Sequence, residues 1–301
     1  MSSGSGTDAV RRILVVGAGQ MGAQIAMQAA LHGYAVTLND LSLTILEKAM
    51  AGNRGHLERR VAKGQLTAEA MAAAVARVRL EPDLDRAARD ADFVIEAIVE
   101  RLEPKRECFA RLDRAAPPHA ILATNSSSLG NSLLASATDR PDRCVNMHFF
   151  YPPLVMRLVE VVKGQWTSEA TLETTAELTR RIGREPVVLR KELPGFLVNR
   201  ILRAVTNEAY FLLEQGVAPF WEIDRAVELG LNFPMGPFRL GDLSGLDIGY
   251  NARLEVYEST RDPKARPPAE LEKRVKRGDL GRKTGRGFYD YSTTPPTPIP
   301  D

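Results

Sequence analysis

The junction between Arg12-Ile-Leu-Val-Val16 and Gly17-Ala-Gly19-Gln-Met-Gly22 constrains the fold more than any other part of the chain. Four apolar residues in a row read as a parallel strand buried on both faces. The run from Ala23 to Leu31 is rich in helix formers, and Gly33 suits the end of a helix. Tyr34-Ala-Val-Thr-Leu38 is a second strand, closing on Asn39-Asp40. A strand, a Gly-x-Gly-x-x-Gly turn, a helix, a strand and an acid about 20 residues on together form a dinucleotide-binding signature, whereas the bare glycine pattern could be only a turn. Gly17 is expected to make the tight turn, Gly19 to let the backbone approach a pyrophosphate, and Gly22 to let helix and strand pack closely. The phosphates would meet free amides at the helix start, at Gln20 and Met21. Asp40 would accept hydrogen bonds from the adenosine ribose hydroxyls and repel a 2′-phosphate. No Arg or Lys follows before Lys48, so the loop favours NAD over NADP.

The chain of 301 residues has room for about two domains. A hydrophobic content of 44% beside 26% charged residues allows a sizeable core in a soluble protein. With 40 basic and 38 acidic side chains the net charge is +2, which gives no sign of nucleic-acid binding. Cys108 and Cys144 lack metal or redox spacing and read as free buried thiols. No apolar stretch reaches membrane-span length. Residues 1–10 read as a tail without the apolar segment of a signal peptide, so a cytoplasmic location is expected.

Further α/β units follow. Leu43–Gln65 and Thr67–Ala76 read as two helices, a long insertion carrying Arg54, Arg59, Arg60 and Lys63. That basic surface is either a solvated face or a phosphate-binding edge. Arg77–Leu80, Asp92–Glu96 and Ala120–Ala123 read as strands. Glu96 and Glu100 fall at a strand's carboxyl end, where open α/β sheets bind ligands. Pro104 suits the first turn of a helix through Ala115. Thr124-Asn-Ser-Ser-Ser128 either bonds a ligand or caps a Leu129–Ala135 helix.

His148 and Glu160 stand twelve positions apart, in two apolar runs flanking Tyr151-Pro-Pro. A base on one strand end can meet a carboxylate on the next across such a corner. A buried carboxylate would orient the imidazole and stabilise its protonated form. After Arg190 the strands stop. Gly195–Glu214 reads as one long helix, capped by Gly216 and apolar on more than one side, hence central or at a subunit contact. Asn199 would then sit one turn into it. Phe220–Leu229, Leu240–Glu258 and Glu270–Lys276 read as further helices. The expected architecture is a Rossmann-type α/β domain over 11–190 and a smaller all-α domain over 191–301.

Jointly, Gly17–Gly22, Glu96-Ala-Ile-Val-Glu100, Asn125-Ser-Ser-Ser-Leu129, His148-Phe-Phe-Tyr-Pro152, Leu158–Val162, Pro194-Gly-Phe-Leu-Val-Asn-Arg200, Met235–Phe238 and Gly281-Arg-Lys-Thr-Gly-Arg-Gly-Phe-Tyr289 resemble the L-3-hydroxyacyl-CoA dehydrogenases, in that family's order from about Val10 to Tyr291. The resemblance implies NAD-dependent, reversible oxidation of the 3-hydroxyl of a 3-hydroxyacyl-CoA in a cleft between domains, with no metal. It implies His148 as base, Glu160 as its partner, and Ser127 and Asn199 on the substrate. Ser127 would also meet the nicotinamide ribose. Glu100, Lys105 and Lys283 would lie on the cofactor side, with Arg60 and Lys63 toward CoA. A homodimer through the helical domain is implied as well. Tyr151 departs from the family's usual Asn near the nicotinamide, which bears on substrate identity more than on hydride transfer. Two alternatives stay open: the same chemistry on a carrier-protein thioester or hydroxy acid, and a non-catalytic NAD-binding protein.

Overall fold

The computed structural model describes residues 10–300, apart from the side chains of Ser259, Thr260 and Lys264. The tail expected over residues 1–10 lies, Val10 excepted, outside the described residues. A first unit ends at Leu197 and a second begins at Val198.

The first unit alternates strands and helices: β1 (Arg12–Val16), α1 (Gln20–Leu31), β2 (Ala35–Asn39), α2 (Leu43–Ala62), α3 (Ala68–Ala76), β3 (Val78–Leu80), α4 (Leu84–Ala88), β4 (Phe93–Glu96), α5 (Leu102–Ala115), β5 (Ile121–Thr124), α6 (Asn131–Ala135), β6 (Cys144–Phe149), β7 (Leu158–Val162), α7 (Glu169–Arg181) and β8 (Glu185–Leu189). Ser42, Thr67, Asp83 and Ser168 cap four of the helices by accepting a first-turn amide, each contributing about 1 kcal/mol. The strands form one sheet in the order β3-β2-β1-β4-β5-β6-β7-β8, parallel except where β6 meets β7. Alternation along β1 divides the core: Ile13 and Val15 pack on one face with α1, Leu14 and Val16 on the other with α5. The chain leaves β1 toward β2 and later returns to its other side at β4. This reversal opens a crevice at the strands' carboxyl ends.

The second unit contains α8 (Val198–Glu214), α9 (Phe220–Leu231), α10 (Pro237–Ser244), α11 (Leu246–Thr260), α12 (Ala269–Arg277) and a small antiparallel ribbon, β9 (Tyr289–Asp290) with β10 (Thr297–Pro298), so it is not purely helical. Its core is aromatic: Phe238 and Phe288 have ring centroids 4.7 Å apart, and Phe220 and Tyr289 5.3 Å. Buried Asp242 accepts the amides of Phe288 and Tyr289, both at 2.9 Å. Gly281 and Gly287 make room for it, since a Cβ would come within 2.2 Å of the Asp242 carbonyl or 2.1 Å of its carboxylate.

Three expectations are corrected. The long helix starts at Val198 because Gly195 and Phe196 have left-handed φ of 77° and 45°. Asn199 is therefore its second residue. Within α8 only Ala209 and Tyr210 are buried. The helix expected over Leu240–Glu258 is two, because Gly245 at φ 99° breaks it. Among the described residues, no helix is long and apolar enough to cross a membrane.

Candidate active site

The carboxyl ends of β1, β4, β5 and β6 carry, in turn, the glycine loop, Glu96–Glu100, Asn125–Ser128 and His148. β7 runs antiparallel to β6, so its opening residues share that edge. The register sets His148 directly opposite Glu160. Opposed residues share a face of the sheet, and Met147, Phe149, Val159 and Val161 go to the core on the other face. His148 Nδ1 lies 2.8 Å from Glu160 Oε2, with His148 5% and Glu160 0% exposed. A carboxylate can only accept, so in this contact with Glu160 Nδ1 would be the donor. Among the described residues Nε2 makes no hydrogen bond, so it is the nitrogen left to accept a proton. Glu160 Oε1 accepts the Leu197 amide at 3.0 Å. The rings of Phe150 and Phe196 lie 4.7 and 5.5 Å from the imidazole. Arg157, three residues before Glu160 in the chain, pairs with Glu185 at 2.8 Å.

The glycines behave as the signature requires. Gly17 has φ 99°, and a Cβ there would sit 2.6 Å from the Ala97 carbonyl. A Cβ on Gly22 would strike the Gly17 carbonyl at 1.8 Å. A Cβ on Gly19 would meet nothing within 4 Å. That open space lies at the start of α1, whose first turn, including Gln20 and Met21, has no acidic side chain. A pyrophosphate fits there on steric and electrostatic grounds. Asp40 stands beside the loop, accepting the Ala18 amide at 2.6 Å and the Leu41 amide at 2.7 Å.

The serine loop is held from two sides. Glu100 Oε1 accepts the Ser126 hydroxyl (2.5 Å), the amides of Ser127 (3.0 Å) and Ser128 (3.1 Å), and the Ser128 hydroxyl (2.8 Å). Burial pushes the Glu100 carboxyl up, but Ser126, the Lys105 ammonium and Ser128 outweigh it and bring it to about 2. Across the loop, Asn146 Nδ2 donates to the Ser126 carbonyl at 3.3 Å. Of the three serine hydroxyls, that of Ser127 alone makes no hydrogen bond among the described residues. Gly130, not a serine, caps α6, and it does so without a side-chain bond.

Lys105 is 1% exposed, with its ammonium 2.6 Å from Glu96 Oε1 and 3.2 Å from Glu100 Oε2. Thr124 donates to Glu96 Oε2 at 2.7 Å. Lys105 thus lies beneath the loop as the buried counter-ion of Glu96 and Glu100. Arg60 is half-buried and Lys63 exposed near the end of α2. Arg184, which the sequence reading missed, has its guanidinium lowered by burial and by the charge of Arg60, and donates to the Pro153 carbonyl at 2.6 Å. Only its place after Gly183, far from Arg60 in sequence, marked it. Phe196 was likewise missed as a neighbour of His148. Tyr151 is 57% exposed at the β6–β7 corner, where the Tyr151–Pro152 peptide is cis. Asn199, exposed, and Lys283, paired with Asp247 at 2.6 Å, belong to the second unit. Among the described residues, no group of three or more His, Cys, Asp or Glu side chains could hold a metal ion.

The sheet order and the open glycine loop at its switch point define a Rossmann-type dinucleotide-binding protein. Residues 12–193 match the 3-hydroxyacyl-CoA dehydrogenase NAD-binding domain, and residues 195–291 match the C-terminal domain of the same enzymes. The chain is 43% identical over 289 residues to a 3-hydroxybutyryl-CoA dehydrogenase of Bradyrhizobium diazoefficiens, covering 96% of this chain and 98% of the relative. Among solved structures, an (S)-3-hydroxybutyryl-CoA dehydrogenase from Ralstonia eutropha superposes with a TM-score of 0.87 at 39% identity, over 94% of this chain and all (100%) of that one. A 3-hydroxybutyryl-CoA dehydrogenase from Escherichia coli K12 gives 0.88 at 40% identity, over 94% of this chain but 60% of that longer one. The chain belongs to the 3-hydroxyacyl-CoA dehydrogenase family.

Proposed function

We propose that the protein oxidises the 3-hydroxyl of an (S)-3-hydroxyacyl-CoA to the ketone, reversibly, with NAD as the redox partner. The observation that carries this reading is the buried His148–Glu160 contact of 2.8 Å, on the sheet edge that also bears the glycine loop. NAD, when bound, accepts the hydride from C3. Gly17, Gly19, Gln20, Met21 and Gly22 hold its pyrophosphate, and Asp40 holds its ribose hydroxyls. His148 Nε2 takes the hydroxyl proton, Nδ1–H stays on Glu160, and the carboxylate stabilises the imidazolium. In reverse the same nitrogen returns the proton to the ketone oxygen. Ser127 offers its hydroxyl to substrate and nicotinamide ribose on a loop fixed by Glu100, and Lys105 acts through Glu100. Asn199 toward the substrate, Lys283 toward the cofactor, and Arg60 and Lys63 toward the CoA phosphates complete the assignment by family likeness.

The assay follows reduced nicotinamide with acetoacetyl-CoA. His148→Ala is expected to bind NADH like the parent and lose about 10²- to 10⁴-fold in turnover. Near-parental turnover would remove His148 as the base. Glu160→Gln should lose activity with the fold intact. Exposed Tyr151 favours a second reading, a 3-hydroxy substrate other than a CoA ester, and a panel of carrier-protein thioesters and free hydroxy acids separates the two. We place the protein in the cytoplasm, in fatty-acid β-oxidation; the buried free thiols Cys108 and Cys144 support a reducing compartment. We also propose a homodimer, supported by exposed apolar side chains on α8: Ile201 is 57% and Phe211 53% exposed.

A further inference from the structure

Phe196 holds a conformation that bulky residues rarely adopt. Its φ is 45°, directly after Gly195 at 77°. Its ring is 2% exposed, packs with Val162 and Leu189, and tilts at 56° against the His148 imidazole. Its amide turns back to the Leu193 carbonyl at 2.9 Å. Two successive left-handed residues reverse the chain so that the next amide, Leu197 N–H, reaches Glu160 Oε1 at 3.0 Å. The other oxygen of that carboxylate holds His148 Nδ1 at 2.8 Å. A carboxylate tied at one oxygen can still swing about its terminal torsion, which is broad. Tied at both, its plane is fixed, and so is the direction of the imidazole bonded to it. Strained backbone clusters where the surrounding structure uses it. Here the unusual φ sits beside the dyad and touches both of its members, one by ring and one by the amide that follows.

We infer that Phe196 is a positioning residue for this dyad: its left-handed backbone aims the Leu197 amide at Glu160, and its tilted ring packs against the His148 imidazole. This rests on the assignment of His148 as the base. The consequence is one tautomer and one ring orientation, with Nε2 presented to the substrate hydroxyl.

Two variants test it in the full-length protein, beside His148→Gln. Phe196→Gly keeps the left-handed turn accessible and removes the ring; Phe196→Leu keeps apolar bulk without the flat face. Both are expected to bind NADH as the parent does. Phe196→Gly should lower kcat by about 10-fold or more, as small misplacements of catalytic groups do, while KM changes less than about threefold; Phe196→Leu should recover part of the loss. Nitrogen NMR of labelled histidine should report a single Nδ1-protonated ring for His148 in the parent and a mixture in Phe196→Gly, a signature that mere loss of packing elsewhere would not move. If His148→Gln is inactive while the Phe196 variants keep parental kcat and a single tautomer, this inference fails and the base assignment stands. If His148→Gln is itself active, the base assignment fails and takes the inference with it. Should Phe196→Gly not fold, Phe196→Leu decides: reduced kcat with mixed tautomers supports positioning, parental values reject it.

Discussion

Replacing Glu100 by Gln changes one atom and tests what holds the serine loop. One carboxylate oxygen accepts four donors from Ser126, Ser127 and Ser128, and the other faces the Lys105 ammonium at 3.2 Å. Whichever way a glutamine amide is turned, its NH₂ meets donors: the serine cluster in one orientation, Lys105 in the other. The carboxyl is held at about 2 against an ordinary 4.5. Taken at face value that difference is about 3 kcal/mol of stability from the ionised form. Because Glu100 is 38% exposed, solvent screening reduces it to about 1–2 kcal/mol. The sign follows from a lowered folded-state value: the contribution is complete above pH 4.5, where an unfolded glutamate is ionised, and is lost as the pH falls to about 2. At pH 3 about two-fifths remains. Thermal unfolding followed by circular dichroism should therefore show Glu100→Gln melting about 2–8 °C lower at pH 7. The gap should narrow by more than half at pH 3. Turnover should fall with it, since Ser127 rides on the loop. A melting gap that is absent at pH 7, or that does not narrow on acidification, would refute the claim that the ionised carboxylate organises the loop.

Two glycines of one motif should separate function from fold. Gly19→Ala places its methyl in open space and should leave the melting temperature nearly unchanged while weakening NADH binding, measured by nicotinamide fluorescence, by about 10-fold or more, because a pyrophosphate needs that space. Gly22→Ala puts its methyl 1.8 Å from the Gly17 carbonyl and should cost about 3 kcal/mol or more in guanidinium unfolding; equal stability of the two variants would contradict the packing described. Burial pushes the Cys108 and Cys144 thiols up to about 12. Neither should react with a thiol reagent at pH 8 until the protein is unfolded, so rapid labelling of the native protein would contradict their burial.

Much was readable in one dimension because it depends on local chemistry. The glycine spacing, the apolar run before it and Asp40 after it mark a turn whose steric demands act within a few residues, and the paired apolar runs around Tyr151-Pro-Pro place an imidazole and a carboxylate on facing strands. Which oxygen holds what was not readable. Glu100 and Lys105 look like ligand contacts in sequence; the structure shows that the first clamps three serines through four hydrogen bonds and that the second, buried beneath it, is its counter-ion. The left-handed turn at Gly195-Phe196 has the composition of a helix start, and only the carboxylate and apolar residues that receive it explain why the helix waits until Val198. Gly245 likewise divides what reads as one helix. The amino-acid order by itself determined the strand–loop–helix that receives a dinucleotide and the type of groups that move the proton. The tertiary structure alone decided how those groups are held, because long-range hydrogen bonds and desolvation, unlike steric turn rules, depend on residues distant in the chain.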